Sequence, residues 1–463
     1  MILPRRISKR ISRHRLSAVI VWLAVASSCI VFSEPAPVDA LLMLAIVALP
    51  ILGTIRLGPI STIVTALWLV TVGLSFLTLP MSPDFGGGLK HLVITLYLVI
   101  AAVMLAGFIA QKPETRGRLF LNAYGIACLF ASALALIGFF KLAPGAYELF
   151  TNFGRARGPF KDPNVLGAAL APGFIWFAWQ ALTAPATRAL AFSAAAAVVG
   201  VALLLSFSRG AWLSVAVSLL VMSPFLLGWC RTFKRQLRIA GALAAFVGMA
   251  VIGGAYVLQS DSVRELAFMR LSLDQSYDQG PEGRFGGQQK AAALIIQNPL
   301  GIGTFTFRER HHHEEAHNVY LSQFLNAGWV GGFAYVALTV LLAVTGLWQS
   351  ARGGPLQVPL MIATAAMIGL MIEGLIIDTD HWRHAFLWQA CLMGLIDGRL
   401  AQPRTAAAGA TGFFAPLQGM LRLPMHMPSI RRPGWETEMF SRRASRVIAR
   451  ERTRTVRPRR PIA

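Results

Sequence analysis

Apolar residues run through this chain in blocks long enough to cross a bilayer, separated by short polar joints. A run of about 18 apolar residues or more is a candidate span, because about 20 residues of helix cover the ~30 Å hydrocarbon layer. Twelve such runs are readable, at roughly 16–33, 38–55, 58–80, 89–110, 118–142, 162–184, 187–206, 209–229, 237–258, 317–348, 356–377 and 384–400. The pattern predicts an all-α polytopic membrane protein with about 12 transmembrane helices and one long polar loop. Residues 1–15 make a basic N-terminal segment and 16–258 carry spans one to nine. Residues 259–316 form the loop, 317–400 carry spans ten to twelve, and 401–463 form a basic, Pro- and Ala-rich tail that reads as disordered. The tenth run is longer than a bilayer needs, so it tilts or keeps its first turns outside the hydrocarbon.

Composition agrees with this class. Hydrophobic residues make up 55% of the chain and charged ones only 14%, against about 25% charged in soluble domains. The net charge of +22 sits mostly at the ends. Arg5, Arg6, Lys9, Arg10, Arg13 and Arg15 open the chain, and residues 399–463 hold 14 arginines against Glu436, Glu438 and Glu451. Basic ends beside spans mark the cytoplasmic side and an anionic lipid surface. An even number of spans then puts both termini in the cytoplasm. No nucleic-acid partner is expected, since no folded basic domain accompanies the tail. The N-terminal run reads as a retained first helix rather than a cleaved leader, because no small-residue cleavage pattern precedes Pro35. Cys29, Cys128, Cys230 and Cys391 lie in or beside apolar stretches and frame neither disulfides nor a zinc site.

The informative residues are cations on the opposite, outer side. Arg155, Arg157 and Lys161 lie between spans five and six, in GRARGPFKDPN, whose Gly-Pro and Asp-Pro-Asn pairs are turn chemistry. Arg264, Arg270, Arg284, Arg308 and Arg310 lie in the long loop, where charge is tolerated freely. Arg209 is different. It opens span eight in SFSRGAWLS with almost no loop to float in, and a bound anion explains it best. His317 starts span ten at the membrane–water boundary. A helix N-terminus favours its neutral form and Glu314 and Glu315 favour the charged one, which leaves it suited to general-base work. Behind it, Gly328, Gly331 and Gly332 predict a close-packed neighbouring helix that holds the histidine's helix rigid. Asn318 adjoins the base. Asp378 and Asp380, in DTDHWRH between the last two spans, either bind sugar hydroxyls and orient the base or form a solvated tight loop. Glu373 is an intramembrane acid and a functional candidate on that ground. The His311-His312-His313 run does not predict a metal site, because consecutive residues rarely converge on one ion. No cofactor is expected.

Three stretches carry a resemblance. HN followed by nine residues and GWVG (317–331), SRGAWLS (208–214) and GPFKDPNVLGAAL (158–170) resemble the O-antigen ligase and polymerase family of bacterial envelope enzymes. The resemblance implies a twelve-helix glycosyltransferase of the GT-C kind in the inner membrane. Such an enzyme moves a glycan from undecaprenyl diphosphate to an acceptor hydroxyl on the periplasmic side, inverting the anomeric centre without a metal. The acceptor is either lipid A–core, as in lipopolysaccharide ligation, or a growing O-antigen or exopolysaccharide chain. Carried over by motif, the family's catalytic positions fall on Arg209, Arg284 and His317. Arg155, Arg157, Lys161, Asn318, Asp378 and Asp380 are candidates for the diphosphate or glycan. One departure stands out: four residues after the loop arginine, where ligases tend to have leucine, this chain has Gln288. The rival reading is a transporter or flippase of lipid-linked anions, which would use the outer arginines but need no base.

Overall fold

The computed structural model describes residues 12–229, 232–241 and 280–402, with isolated positions between 244 and 265. Most of span nine, much of the polar loop and the tail from 403 lie outside the described residues. The chain divides into Met1–Phe414 and Ala415–Ala463, and all the helices below belong to the first unit.

The helices before the loop are α1 (Arg13–Ala26), α2 (Pro37–Ile51), α3 (Pro59–Thr78), α4 (Phe85–Gln111), α5 (Pro113–Phe139), the short α6 (Ala146–Phe150), α7 (Pro163–Thr183), α8 (Ala186–Leu205) and α9 (Arg209–Trp229). After the loop come α10 (Arg284–Gln297), α11 (Thr306–Arg310), α12 (Val319–Ser350), α13 (Gln357–Glu373) and α14 (Arg383–Leu400). Proline begins α2, α3, α5 and α7, where its missing N–H costs nothing and its fixed φ suits the first turn. Asp162 caps α7 by accepting from Asn164 N at 2.7 Å, so the Asp-Pro-Asn turn ends in a helix start. A two-residue hairpin, β1 (Thr151–Asn152) with β2 (Arg155–Ala156), folds the loop between α6 and α7.

Among the described residues, seven helices are long and apolar enough to cross a membrane: α3, α4, α5, α7, α8, α9 and α12. α2 and α13 are apolar but shorter. Large apolar side chains such as Val47, Leu69, Leu220, Val340 and Val344 are exposed on these helices, an arrangement that fits hydrocarbon rather than water. The chain is a multi-pass membrane protein.

The last predicted span has a special place. Every residue of α14 from His384 to Gly398 is buried, so this helix is the centre of the bundle. Charges at its ends fasten it. Arg383 grips Asp39 of α2 with two hydrogen bonds of 2.7 and 2.8 Å. Asp397 caps α3 by accepting from Ile60 N at 2.8 Å and Ser61 N at 2.9 Å.

The tenth span corrects an expectation. It is not one straight helix, because Gly328 has φ +67° and ψ −171° and breaks it. The segment 299–302 enters the break: Trp329 N donates to Pro299 O at 2.9 Å and Ile302 N to Leu325 O at 2.7 Å. A Cβ on Gly328 would lie 2.6 Å from Leu300 backbone, so the glycine makes room for a loop, not for a helix. Gly331 does pack as expected, with Thr71 of α3 donating to its carbonyl at 3.0 Å.

The joints fall into two groups. At one end, Val31 N bonds Pro159 O, Ser82 Oγ bonds Thr304 O and His91 meets Asp380. At the other, Arg116 bonds Thr54 O and Arg238 bonds Leu182 O.

Candidate active site

The site gathers where α10, the end of α13 and the start of α12 converge. His317 sits just before α12 with φ +48°, a left-handed conformation that a non-glycine residue holds only under constraint. The constraint comes from three sides. Asn318 caps α12, its Oδ1 accepting from Tyr320 N and Leu321 N at 3.1 and 3.2 Å. Val319 N donates to Gly374 O at 2.9 Å. Gln288 Nε2 donates to His317 O at 3.1 Å and to Leu375 O at 3.2 Å. The departure at Gln288 thus has a structural role, as the amide pins the histidine's backbone to the end of α13.

His317 Nε2 lies 2.9 Å from Glu314 Oε2. That hydrogen bond holds the Glu314 carboxyl below the usual range, outweighing the opposing effect of burial. A carboxylate only accepts, so the ring nitrogen facing it is the donor, and Nδ1 is left as the basic nitrogen. Of the two acids thought to tune His317, Glu314 is the one that touches it.

Glu315 turns the other way, into a partly buried acid–histidine cluster around the buried Asp380. Burial first, then the neighbouring Asp378 charge, raise its carboxyl to about 7, against the pull of Arg308, whose Nε is 3.5 Å away. Asp378 is raised to about 6 by burial and by Asp380, while Ser322 donates to its Oδ1 at 2.6 Å. Burial would raise Asp380 too, but His91 outweighs it and holds the group at about 2. His91 Nε2 is 3.4 Å from Asp380 Oδ2, and Gln323 donates to the same oxygen at 3.1 Å. His381 stacks on His91 with ring centroids 3.7 Å apart. Burial and the His91 charge lower its pKa to about 4. The solvated-loop reading of 378–384 is therefore corrected, because Asp380 and His384 are buried.

The arginines divide. Arg209 heads α9, and the adjacent Gly210 packs on Glu373, whose carboxylate would lie 3.2 Å from a Cβ there. Gly374, one residue on, accepts from Val319 N, so the starts of α9 and α12 both pack against the end of α13. Arg284 heads α10, one turn before Gln288 on the same helix face. Arg155 is buried and donates to Ser206 O at 2.8 Å and Asn164 Oδ1 at 2.7 Å. It fixes the turn that precedes Arg209. Arg157 donates to Leu149 O at 3.1 Å and Lys161 pairs with Glu34 at 3.3 Å, so neither joins the His317 segment. Asn318 is likewise occupied by its cap.

Sequence reasoning missed His91, Gln323 and Thr95, whose Oγ1 is 2.9 Å from His381 Nε2. A histidine at the edge of the fourth apolar run was the one available signal. Within the histidine run, His312 and His313 approach Glu282, the three ligand atoms lying within 4.8 Å of one another.

The fold is that of a multi-pass membrane protein, and one family match bears on its class. Residues 192–336 match the family model described as O-antigen ligase, which supports assigning the chain to the O-antigen ligase and polymerase family. The matched stretch contains Arg209, Arg284 and His317. No curated protein matches the chain.

Proposed function

We propose that the protein transfers a glycan from undecaprenyl diphosphate to an acceptor hydroxyl at the periplasmic face of the inner membrane. The observation that carries this reading is the Glu314–His317 pair at 2.9 Å, on strained backbone inside the family-matched stretch. Nδ1 of His317 takes the proton of the acceptor hydroxyl. The acceptor oxygen attacks the anomeric carbon from the face opposite the diphosphate, and the sugar–phosphate bond breaks with its electron pair left on the diphosphate oxygen. Configuration inverts. Arg209 and Arg284 stabilise the charge that develops on the leaving group, where one preorganised donor is worth roughly 3–4 kcal/mol. Asp378 and Asp380 hold the turn beside the base and orient the glycan. Arg155 positions the Arg209 turn, and Arg157 and Lys161 line the outer rim. The acceptor is lipid A–core or a growing O-antigen or exopolysaccharide chain.

Purified protein in lipid discs with a synthetic lipid-linked glycan and acceptor tests the reading. A new glycosidic bond with inverted anomeric configuration is the expected product. Movement of the lipid-linked glycan between leaflets with no new bond would establish the transporter reading instead.

A further inference from the structure

We propose that Glu282, His312 and His313 bind a divalent transition-metal ion, best matched by zinc, which ties the start of α10 to the segment leading into His317. The site goes beyond the transfer reaction and needs no part of it. Glu282 Oε2 lies 3.8 Å from His312 Nε2 and 3.5 Å from His313 Nδ1. Ligands at zinc distances of about 2.0–2.2 Å in a tetrahedral site stand roughly 3.4 Å apart; the two Glu282 distances are near this, and the two histidine nitrogens, within 4.8 Å of each other, close to it on binding. Two imidazoles and one carboxylate are a zinc donor set that leaves a fourth position open.

A second observation concerns His312 alone. Its side chain is 1% exposed, and its Nε2 is buried without a hydrogen-bond partner. An orphaned buried nitrogen is costly, and here it faces the Glu282 carboxylate from beyond hydrogen-bond range. The ring is fixed from behind. It stacks on Phe307 with centroids 5.7 Å apart, and Gly287 gives it space, since a Cβ there would stand 3.3 Å from Nε2. Its Nδ1 lies 3.2 Å from both the Glu314 carbonyl and the Glu314 N–H. Nδ1 accepts from the Glu314 N–H, which leaves the hydrogen on Nε2; metal binding at Nε2 requires the other tautomer, with Nδ1–H donating to the Glu314 carbonyl, the usual outer support of a metal-bound histidine. Lys290 also approaches Glu282, at 3.4 Å on its other oxygen, Oε1. Glu282 is two residues before Arg284, and His313 is four before His317. A bound ion would therefore tie the segments of both candidate catalytic groups together.

The test uses full-length protein without a polyhistidine tag, in lipid discs, stripped with a chelator and titrated with Zn²⁺ against a chromophoric competitor. One Zn²⁺ per chain is expected, with Co²⁺ giving the visible bands of a low-coordinate site. Glu282→Gln and His313→Ala, both exposed and so tolerated by the fold, should each weaken binding at least about tenfold, since even a lost outer partner costs 10–100-fold. His311→Ala should bind as the parent does. Zn²⁺ should raise the thermal midpoint of the parent and not of Glu282→Gln. Absence of stoichiometric binding, unchanged affinity in Glu282→Gln, or equal losses in His311→Ala and His313→Ala would each overturn the proposal. Binding is read without turnover, so its failure and that of the transferase reading are separable.

Discussion

Glu314 reaches His317 across three residues of chain, and this short tether decides which ring nitrogen is basic. In Glu314→Gln the amide can turn either its oxygen or its NH2 toward Nε2, so the tautomer is no longer fixed. Transfer should fall by on the order of 10²-fold with the protein still present in the membrane, and an unchanged rate would remove Glu314 from the mechanism. Asp378 carries a pH prediction. Its carboxyl sits at about 6 in the folded protein, above the ordinary value of about 3.9. The folded state therefore prefers the protonated form. That contribution to stability is complete below about pH 4 and is lost as pH rises through about 6. The thermal midpoint of the parent should drop across this window more than that of Asp378→Asn; parallel curves would contradict the assignment. His317, Arg209 and Arg284 were readable as candidates because motif spacing marks them. His91 against Asp380 was not, because two residues that distant in sequence are joined only by packing of α4 under the last loop.

At the scale of elements, the break in α12 matters most. Local pattern reads 317–348 as one apolar helix, and glycine in such a run reads as a helix contact. Gly331 follows that rule and Gly328 does not, because what packs at Gly328 is the backbone of a loop, and loops leave no periodic trace. Gly328→Ala would combine a strained φ of +67° with a clash against Leu300. The expected cost is about 2 kcal/mol or more, read as a lower unfolding midpoint together with reduced transfer. A variant as stable and active as the parent would show that the break is dispensable. The short α10 carried no span signal, yet through Gln288 it holds the carbonyl of His317. The substitution that made this helix look atypical for a ligase turns out to be one of its anchors.

Across the whole molecule, composition and hydropathy gave the membrane class. They did not reveal that α14 is enclosed by other helices rather than lipid. Apolar side chains suit either surroundings, and only its charged ends, Arg383 and Asp397, hold a clue in their buried partners Asp39 and Ser61. Residues 403–463 lie outside the described part and carry the basic excess of the C-terminus. We expect them to bind anionic lipid at the cytoplasmic face. Truncation after 402 should weaken binding to anionic vesicles in a salt-dependent way and leave transfer intact, whereas complete loss of transfer would place the tail in the reaction. The central claim is that this bundle exists to hold one base beside a lipid-linked diphosphate. Its most direct test is transfer by His317→Ala in purified form, with membrane insertion and unfolding midpoint measured on the same preparation. The account predicts a folded, inserted protein with transfer abolished. Parent-level glycan transfer by that variant would contradict it.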